Sequence, residues 1–251
     1  MEKIHSALND VGLCVIDNFL PYEVAMKVQQ EASYIYSCPG MCFEAINSSC
    51  KFNKKIYRSD QICWLKGEGN GNKNIKTVIE AFDNMMAVLQ KSSFRGSNII
   101  ITHKSHIQFS CYPTGSFGYK KHIDNPNNNG RLLTIEYYCN KNYNKETHGG
   151  ITRFYVERKC HYYDVEPVFN RTVIHWSDER IKKETLACKG DIFSLTSWYF
   201  GSMLNDIENE LCTRTDEVDM LDDIINSDIY KNDISVFSRQ ASLRKKRSLC
   251  I

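Results

Sequence analysis

The chain has 251 residues, of which 42% are hydrophobic, and a formal net charge of +2. This length and hydrophobic content suit one domain with a buried core, and the near-neutral charge gives no electrostatic reason to expect binding to nucleic acid or to a membrane. No apolar run is long enough to span a membrane and the N-terminus lacks the apolar segment of a signal peptide, so we expect a cytoplasmic or nuclear protein.

The eleven cysteines do not form a recognisable framework. Their number is odd, their spacings are scattered, and no C-x-x-C pair occurs. A disulfide scaffold is typical of short secreted chains, and a zinc site needs closely spaced pairs. We therefore expect reduced thiols, most of them acting as small buried hydrophobic side chains.

The first half of the chain predicts two strands and two helices. Residues 12–20 (GLCVIDNFL) predict a short strand, and Pro21 then opens a helix because proline suits the first helical turn. The alternation in residues 55–64 predicts a second strand. A second helix is predicted by an apolar stripe that repeats over about three turns. Its residues are Val78, Phe82, Met85, Met86 and Leu89.

Six or seven strand-like runs follow between residues 98 and 200, separated by Gly and Asn clusters. They are NIIITHK, HIQFSCY, LLTIEYYC, ITRFYVE, VFNRTVIHW and DIFSLTSWY. Many short strands behind N-terminal helices predict a β-sandwich or β-roll with helical buttresses, which we assign to residues 1–200. Residues 201–251 form an acidic segment and a basic tail, which we expect to be partly disordered.

One stretch, YKKHIDNPNNNGR at residues 119–131, contains two candidate metal ligands. Residues i and i+2 of an extended segment face the same way, so His122 and Asp124 can converge on one point. A 2-His-1-carboxylate triad, the ligand set of non-haem iron oxygenases, needs a second histidine from elsewhere. A lone H-x-D is a weak signal, but Gly-containing turns flank this one and place it at a strand end, where binding sites tend to form.

Further motifs extend this pattern along the chain. They are R-S-D-x-I-x-W (58–64), C-Y-P (111–113), G-Y-x-x-H-x-D-N-P (118–126), G-R (130–131), I-E-Y-Y-C-N-K (135–141), G-G-I-x-R (149–153), V-E-P-x-F-x-R (165–171), W-S-D (176–178) and W-Y-F (198–200). In this order and spacing the sequence resembles the catalytic domain of the hypoxia-inducible-factor prolyl hydroxylases, the egl nine-type family. The resemblance covers most of residues 10–200.

The resemblance implies an α+β, mainly β fold with a jelly-roll-like double-stranded β-helix core. It also implies a monomeric peptidyl-proline 4-dioxygenase that uses Fe(II), 2-oxoglutarate and ascorbate on a proline-containing peptide of a hypoxia-type transcription factor or another protein. His122 and Asp124 would bind the iron. The cosubstrate pocket would be lined by Tyr112, Tyr138, Thr196 and Trp198. The substrate peptide would be held by Arg58, Asp60, Trp64 and Arg131.

Two positions depart from the family pattern. Lys183 stands where the second metal histidine belongs, and an ammonium group has no lone pair to donate to a metal. Ile192 stands where the family holds the distal carboxylate of 2-oxoglutarate with an arginine. Removing one partner of such a buried charge pair costs about 3–5 kcal/mol. We therefore expect an impaired, peptide-binding homologue whose site is metal-free and held by an Asp124–Lys183 ion pair.

Two alternatives stay open at this point. In one, the protein is an active iron and 2-oxoglutarate prolyl hydroxylase with a non-standard ligand set, to which His175 or His148 supplies the missing ligand. In the other, the domain is purely structural, although the retained peptide-contacting positions argue against it. Glu136 is a further departure, an acid at an apolar family position, and it would need a cation nearby if it points inward.

Overall fold

The computed structural model describes residues 2–39, 42–44, 57–66, 73–91, 93–94, 97–159 and 161–203. The predicted acidic segment and basic tail after residue 203 lie outside these residues. The helices are α1 (Glu2–Asp10), α2 (Tyr22–Ser37), α3 (Lys73–Leu89) and α4 (Lys145–His148). In the described part of the chain no helix is long and apolar enough to cross a membrane.

The strands dominate the second half of the chain. They are β1 (Leu13–Asp17), β2 (Phe43–Glu44), β3 (Gln61–Leu65), β4 (Ser93–Phe94), β5 (Ser97–Lys104), β6 (Ile107–Tyr112), β7 (Tyr119–His122), β8 (Arg131–Tyr138), β9 (Thr152–Val156), β10 (His161–Val165), β11 (Arg171–Trp176), β12 (Ile181–Thr185) and β13 (Ile192–Met203). A 3-10 turn, Glu157–Lys159, follows β9.

Two antiparallel sheets form the body of the domain. The larger has the order β1-β11-β8-β13-β6-β3-β2, with β5 paired to β13 and β4 paired to β5. The smaller has the order β10-β9-β12-β7. Strands that follow one another in the chain alternate between the sheets, as in β11, β12 and β13. This is the double-stranded β-helix with an α+β, mainly β composition that the sequence resemblance predicted.

Helices α2 and α3 cover the larger sheet as predicted. All five residues of the stripe predicted for α3 are buried, and they join one hydrophobic core with residues of α2 and of the larger sheet. Pro21 immediately precedes α2 as its N-cap. The helix α1 was not predicted; it buries Leu8, whose carbonyl accepts a hydrogen bond from the Trp176 indole at 3.0 Å.

The predicted strands are confirmed with shifted ends, and five short strands were missed. The strand predicted for residues 55–64 is observed as β3, at Gln61–Leu65, and its first two residues lie outside the described part. The missed strands are β2 and β4, of two residues each, and β7, β10 and β12 of the smaller sheet. The last three have only four or five residues and many polar side chains, so their pattern resembles a solvated loop.

Candidate functional site

His122 and Asp124 lie together at the end of β7, as their spacing predicted. His122 is the last residue of the strand, and Asp124 follows two residues later. The Nε2 atom of His122 lies 3.4 Å from Oδ1 of Asp124. Asp124 is only 7% exposed, and its Oδ2 accepts a hydrogen bond of 2.7 Å from the Thr134 hydroxyl on β8. A buried carboxylate in this position needs a positive partner.

Strand β12 supplies that partner through Lys183. Lys183 is the residue directly opposite His122 in the pairing of β12 with β7. Its ammonium Nζ lies 3.1 Å from Oδ2 of Asp124 and 3.5 Å from Oε2 of Glu136, and the residue is 8% exposed. The predicted Asp124–Lys183 ion pair is therefore present. Glu136 points inward and meets the same cation, as its need for a partner predicted.

His175 also reaches this cluster, whereas His148 does not. On β11, the buried His175 places Nε2 3.7 Å from Oδ2 of Asp124, and this nitrogen has no hydrogen-bond partner among the described residues. His148 lies in α4, where its Nδ1 contacts Asn144 and Thr147. Of the two candidate replacement ligands, only His175 is close to Asp124.

The hydrogen bonds of the two histidines fix one of the ring nitrogens that carries a proton. Nδ1 of His122 contacts the Lys120 carbonyl at 2.8 Å, and Nδ1 of His175 contacts the Trp176 carbonyl at 2.7 Å. A carbonyl only accepts, so Nδ1 carries a proton in each ring. The Nε2 atom of each ring then faces Asp124, and the cation beside this carboxylate is the Lys183 ammonium.

The charged groups at this site stabilise one another in their charged forms. Burial alone would raise the pKa of Asp124, but the positive charge of Lys183 holds it well below its usual value. Burial alone would lower the pKa of Lys183, but Asp124 and Glu136 raise it above its usual value. Burial, reinforced by the charge of Lys183, lowers the pKa of His175 to about 4. At neutral pH the site therefore holds an ammonium, a carboxylate and a neutral buried imidazole.

This arrangement does not fit a bound Fe(II) ion. Fe(II) requires lone-pair donors around it, and Lys183 places an ammonium against the carboxylate that would be its anchor. Within the described ranges no group of three or more His, Cys, Asp or Glu side chains is arranged to hold a metal. The geometry instead forms an internal ion network.

Ile192 provides no positive charge for the distal carboxylate of 2-oxoglutarate. Ile192 is buried, faces Tyr112 across the β13–β6 pair, and packs with Tyr112 and Cys188. An added Cβ at Gly150 would lie 2.6 Å from its Cγ1, so the isoleucine fills this space closely. Two other predicted pocket residues are also buried: Thr196, opposite Glu136 on the neighbouring strand, and Tyr138. At position 192 the predicted pocket therefore has a buried aliphatic side chain and not an arginine.

The residues predicted to hold a peptide form two neighbouring clusters. In the first, the Arg58 guanidinium makes two hydrogen bonds of 2.7 and 2.5 Å to the carboxylate of Asp60. In the second, the Arg131 guanidinium lies 4.7 Å from the Trp198 ring, whose centroid is 5.9 Å from that of Trp64. Trp64 is 40% exposed and presents an aromatic surface to solvent.

Two of these groups have unused donors. Nε of Arg131 and Nε1 of Trp198 are buried and have no hydrogen-bond partner in the part of the chain that the structure describes. The Nη1 nitrogen of Arg131 donates to the Asp124 carbonyl at 2.8 Å. The second cluster is thereby joined to the ion network, next to an exposed tryptophan.

Sequence reasoning missed the role of Thr134, and it left open which of His175 and His148 approaches the site. Thr134 and His175 lie on central strands of the larger sheet, directly opposite each other in the β11–β8 pair. Side-chain alternation along the two strands could have predicted that both residues face the same side of the sheet. The sequence does not show how the sheets curl, and this curl brings that side close to Asp124.

The fold and the site geometry together define an oxygenase-type double-stranded β-helix. Residues 107–200 match the 2OG-Fe(II) oxygenase superfamily. A prolyl hydroxylase from Trichoplax adhaerens, solved in complex with a hypoxia inducible factor oxygen degradation domain peptide fragment, is similar with a TM-score of 0.72 and 28% identity, covering 86% of this chain and 92% of that chain. A Pseudomonas putida prolyl-4-hydroxylase shares the fold, with a TM-score of 0.65 and 22% identity over 79% of this chain and 97% of that chain.

Proteins of similar sequence identify the family within this class. Human prolyl hydroxylase EGLN3 is 34% identical over 202 residues, which is 80% of this chain and 83% of that protein. Mouse Egl nine homolog 1 is 31% identical over 200 residues, which is 80% of this chain but 49% of that protein, so the match spans about half of that relative. The chain belongs to the hypoxia-inducible-factor prolyl hydroxylase family, whose members are 2-oxoglutarate and Fe(II) oxygenases.

Proposed function

We propose that this protein is a peptide-binding homologue of the prolyl hydroxylases in which the Lys183 ammonium replaces the catalytic metal. The observation that carries the proposal is the 3.1 Å separation of Lys183 Nζ from Asp124 Oδ2, opposite His122. A metal bound to Asp124 would lie within a few ångströms of this ammonium. A unit and a double positive charge 4 Å apart repel by about 8 kcal/mol at an effective dielectric constant of about 20.

Relief of that repulsion would require Lys183 to lose its proton or leave the site. Loss of the proton is opposed because Asp124 and Glu136 raise the pKa of Lys183. Departure of the side chain is opposed because it would strip two buried carboxylates of their cation. Metal binding therefore competes with an interaction already built into the protein.

Binding of 2-oxoglutarate is disfavoured by the same site. The cosubstrate carries two carboxylates, and Ile192 offers its distal carboxylate no charge-assisted hydrogen bond. Glu136 adds a second carboxylate beside the pocket, and its Oε2 lies 3.5 Å from the Lys183 ammonium. We propose that the protein functions without Fe(II), 2-oxoglutarate or ascorbate.

The peptide-contacting positions support retention of a binding surface. Trp64 is 40% exposed beside the Trp198 ring, and the Arg131 guanidinium lies 4.7 Å from that ring, so this cluster offers an aromatic surface to a peptide. The similar Trichoplax protein was solved with a hypoxia inducible factor peptide fragment. We propose a proline-containing peptide of a hypoxia-type transcription factor or another protein as the partner, bound by a monomer in the cytoplasm or nucleus.

Fluorescence anisotropy with a labelled proline-containing peptide of the hypoxia-factor degradation domain tests this function. The titration is made with a chelator and without 2-oxoglutarate, and we expect saturable binding under these conditions. Trp64→Ala should weaken binding about tenfold or more, as expected for an exposed aromatic anchor. Tyr162→Ala is the matched control, since Tyr162 is a similarly exposed aromatic residue of the smaller sheet. Absence of binding, or binding only with Fe(II) and 2-oxoglutarate, would reject the proposal.

One observation favours a second candidate, an active hydroxylase with a non-standard ligand. His175 Nε2 is unpaired among the described residues and faces Asp124 at 3.7 Å, so it is placed to join His122 and Asp124 if Lys183 leaves. This candidate predicts iron-dependent succinate formation from 2-oxoglutarate that His175→Leu abolishes. The leading proposal predicts no succinate from the unmodified protein.

A further inference from the structure

Two cysteines lie opposite each other at the edge of the larger sheet. Strand β2 pairs with β3 so that Phe43 is opposite Ile62 and Glu44 is opposite Gln61. Continuing this antiparallel register by one residue places Cys42 opposite Cys63. Each thiol shifts the pKa of the other, as groups that lie close together do. Directly opposite residues of antiparallel strands have Cβ atoms about 4.5–5.5 Å apart, and a disulfide needs only a slightly closer approach of about 3.5–4.5 Å.

The surroundings allow that approach. Cys63 is buried in β3, which is held on its other side by β6, whereas Cys42 is half-buried beside a two-residue edge strand. The edge strand can therefore shift while β3 stays fixed. Cys38 lies close enough to Cys42 to interact electrostatically, but the described residues offer no group of three metal-binding side chains here. The arrangement is that of a thiol pair.

We propose that Cys42 and Cys63 form a reversible disulfide by exchange with a small disulfide such as glutathione disulfide. The thiolate of the more accessible Cys42 attacks one sulfur, the glutathione S–S bond breaks, and one glutathione thiolate leaves and takes up a proton. The Cys63 thiolate then attacks the Cys42 sulfur of the mixed disulfide and releases the second glutathione. Two protein thiols and one glutathione disulfide thus give one protein disulfide and two glutathione thiols.

The exchange is slow in the native protein. Burial raises the pKa of Cys42, and it raises the pKa of Cys63 to about 12, so little of either thiol is ionised at neutral pH. The pair stays reduced through brief exposure to oxidant and closes only when the surroundings stay oxidising. The disulfide would link β2 covalently to β3 at Cys63, the residue that precedes Trp64. This inference does not depend on the proposed function.

Peptide mapping of the full chain tests the pair. The native protein is equilibrated in glutathione buffers of increasing oxidised fraction, quenched with N-ethylmaleimide, and digested with trypsin and a glutamate-specific protease. Trypsin separates Cys63 from Cys42, and cleavage after Glu44 separates Cys42 from Cys50. We expect a cross-linked peptide joining Cys42 and Cys63, lighter by two hydrogens than its reduced parts.

Matched variants keep the result interpretable. Cys38→Ser should retain the cross-link, because Cys38 lies in the same peptide but is not opposite Cys63. Cys42→Ser should abolish it, and unmodified protein in denaturant should give mixed pairings without this preference. Recovery of Cys42 and Cys63 as alkylated thiols at every buffer composition would overturn the proposal. So would a dominant Cys38–Cys42 bond.

Discussion

Replacing Lys183 with methionine removes the buried ammonium but keeps a long, unbranched side chain. Asp124 and Glu136 then lose the cation that lies 3.1 and 3.5 Å from their oxygens. Breaking a buried pair in this way costs about 3–5 kcal/mol because a buried charge is left uncompensated. Asp124 keeps its 2.7 Å hydrogen bond from Thr134, so we expect the unfolding free energy to fall by about 3 kcal/mol, the lower end of that range.

Lys182→Met is the matched control. Lys182 neighbours Lys183 on the same strand but points to the other face, where its Nζ lies 3.1 Å from Glu157 Oε2. The two side chains of this surface pair are 32% and 62% exposed, and such pairs contribute at most about 1 kcal/mol. Urea denaturation followed by tryptophan fluorescence, with a chelator present, gives both values if the m values agree.

The comparison has a clear refuting result. If Lys183→Met costs no more than Lys182→Met, the ammonium does not hold the site together. Adding Asp124→Asn to Lys183→Met should recover part of the lost stability, because it removes the stranded charge. A double-mutant cycle isolates the coupling between the two residues, and a coupling below about 0.5 kcal/mol would contradict the ion network.

Three further outcomes follow from neighbouring groups. The pKa of His175 is about 4 in the folded protein, against its ordinary value of 6.5. Between these two pH values the unfolded chain binds a proton that the folded protein does not bind. The free energy of unfolding should therefore fall by about 3 kcal/mol as the pH drops from about 6.5 to 4. Urea titrations at pH 7 and 4 measure this loss, which His175→Leu should reduce; an equal slope in both proteins would contradict it. Asn170→Ala removes a buried amide that is hydrogen-bonded to both the backbone N–H and the carbonyl of Leu20. It should lower the free energy of unfolding by about 2–3 kcal/mol in the same assay. A loss below about 1 kcal/mol would refute the bridging role of this side chain. The double variant Lys183→His, Ile192→Arg should bind 2-oxoglutarate in the presence of iron, as measured by calorimetry. If it does not bind, these two positions are not the ones that prevent binding of 2-oxoglutarate.

Local periodicity was enough to predict helices α2 and α3 and most of the longer strands. The stripe of α3 is readable because its burial repeats at the helical period, whereas β6, β8 and β13 are readable as apolar runs because they are buried along most of their length. Strand β12 was not readable in this way. Its sequence IKKET suggests two solvated lysines, yet Lys183 is buried because Asp124 and Glu136 from other strands surround its ammonium.

The site was predictable where it follows from spacing or from the family pattern. His122 and Asp124 are two residues apart, and the gapless resemblance placed Lys183 at a metal-ligand position. That an ion pair would form could be inferred from charge alone. The approach of His175 could not, because it depends on how the β11 face of the larger sheet curls towards β7 of the smaller one.

Metal binding by the unmodified protein tests the central claim most directly. Protein purified in a chelator is dialysed anaerobically against Fe(II), in parallel with Lys183→His and Asp124→Ala, and the iron retained by each is measured. If the Lys183 ammonium occupies the place of the metal, the unmodified protein and Asp124→Ala retain none, while Lys183→His approaches one equivalent. One equivalent of iron on the unmodified protein, lost in Asp124→Ala, would contradict the claim.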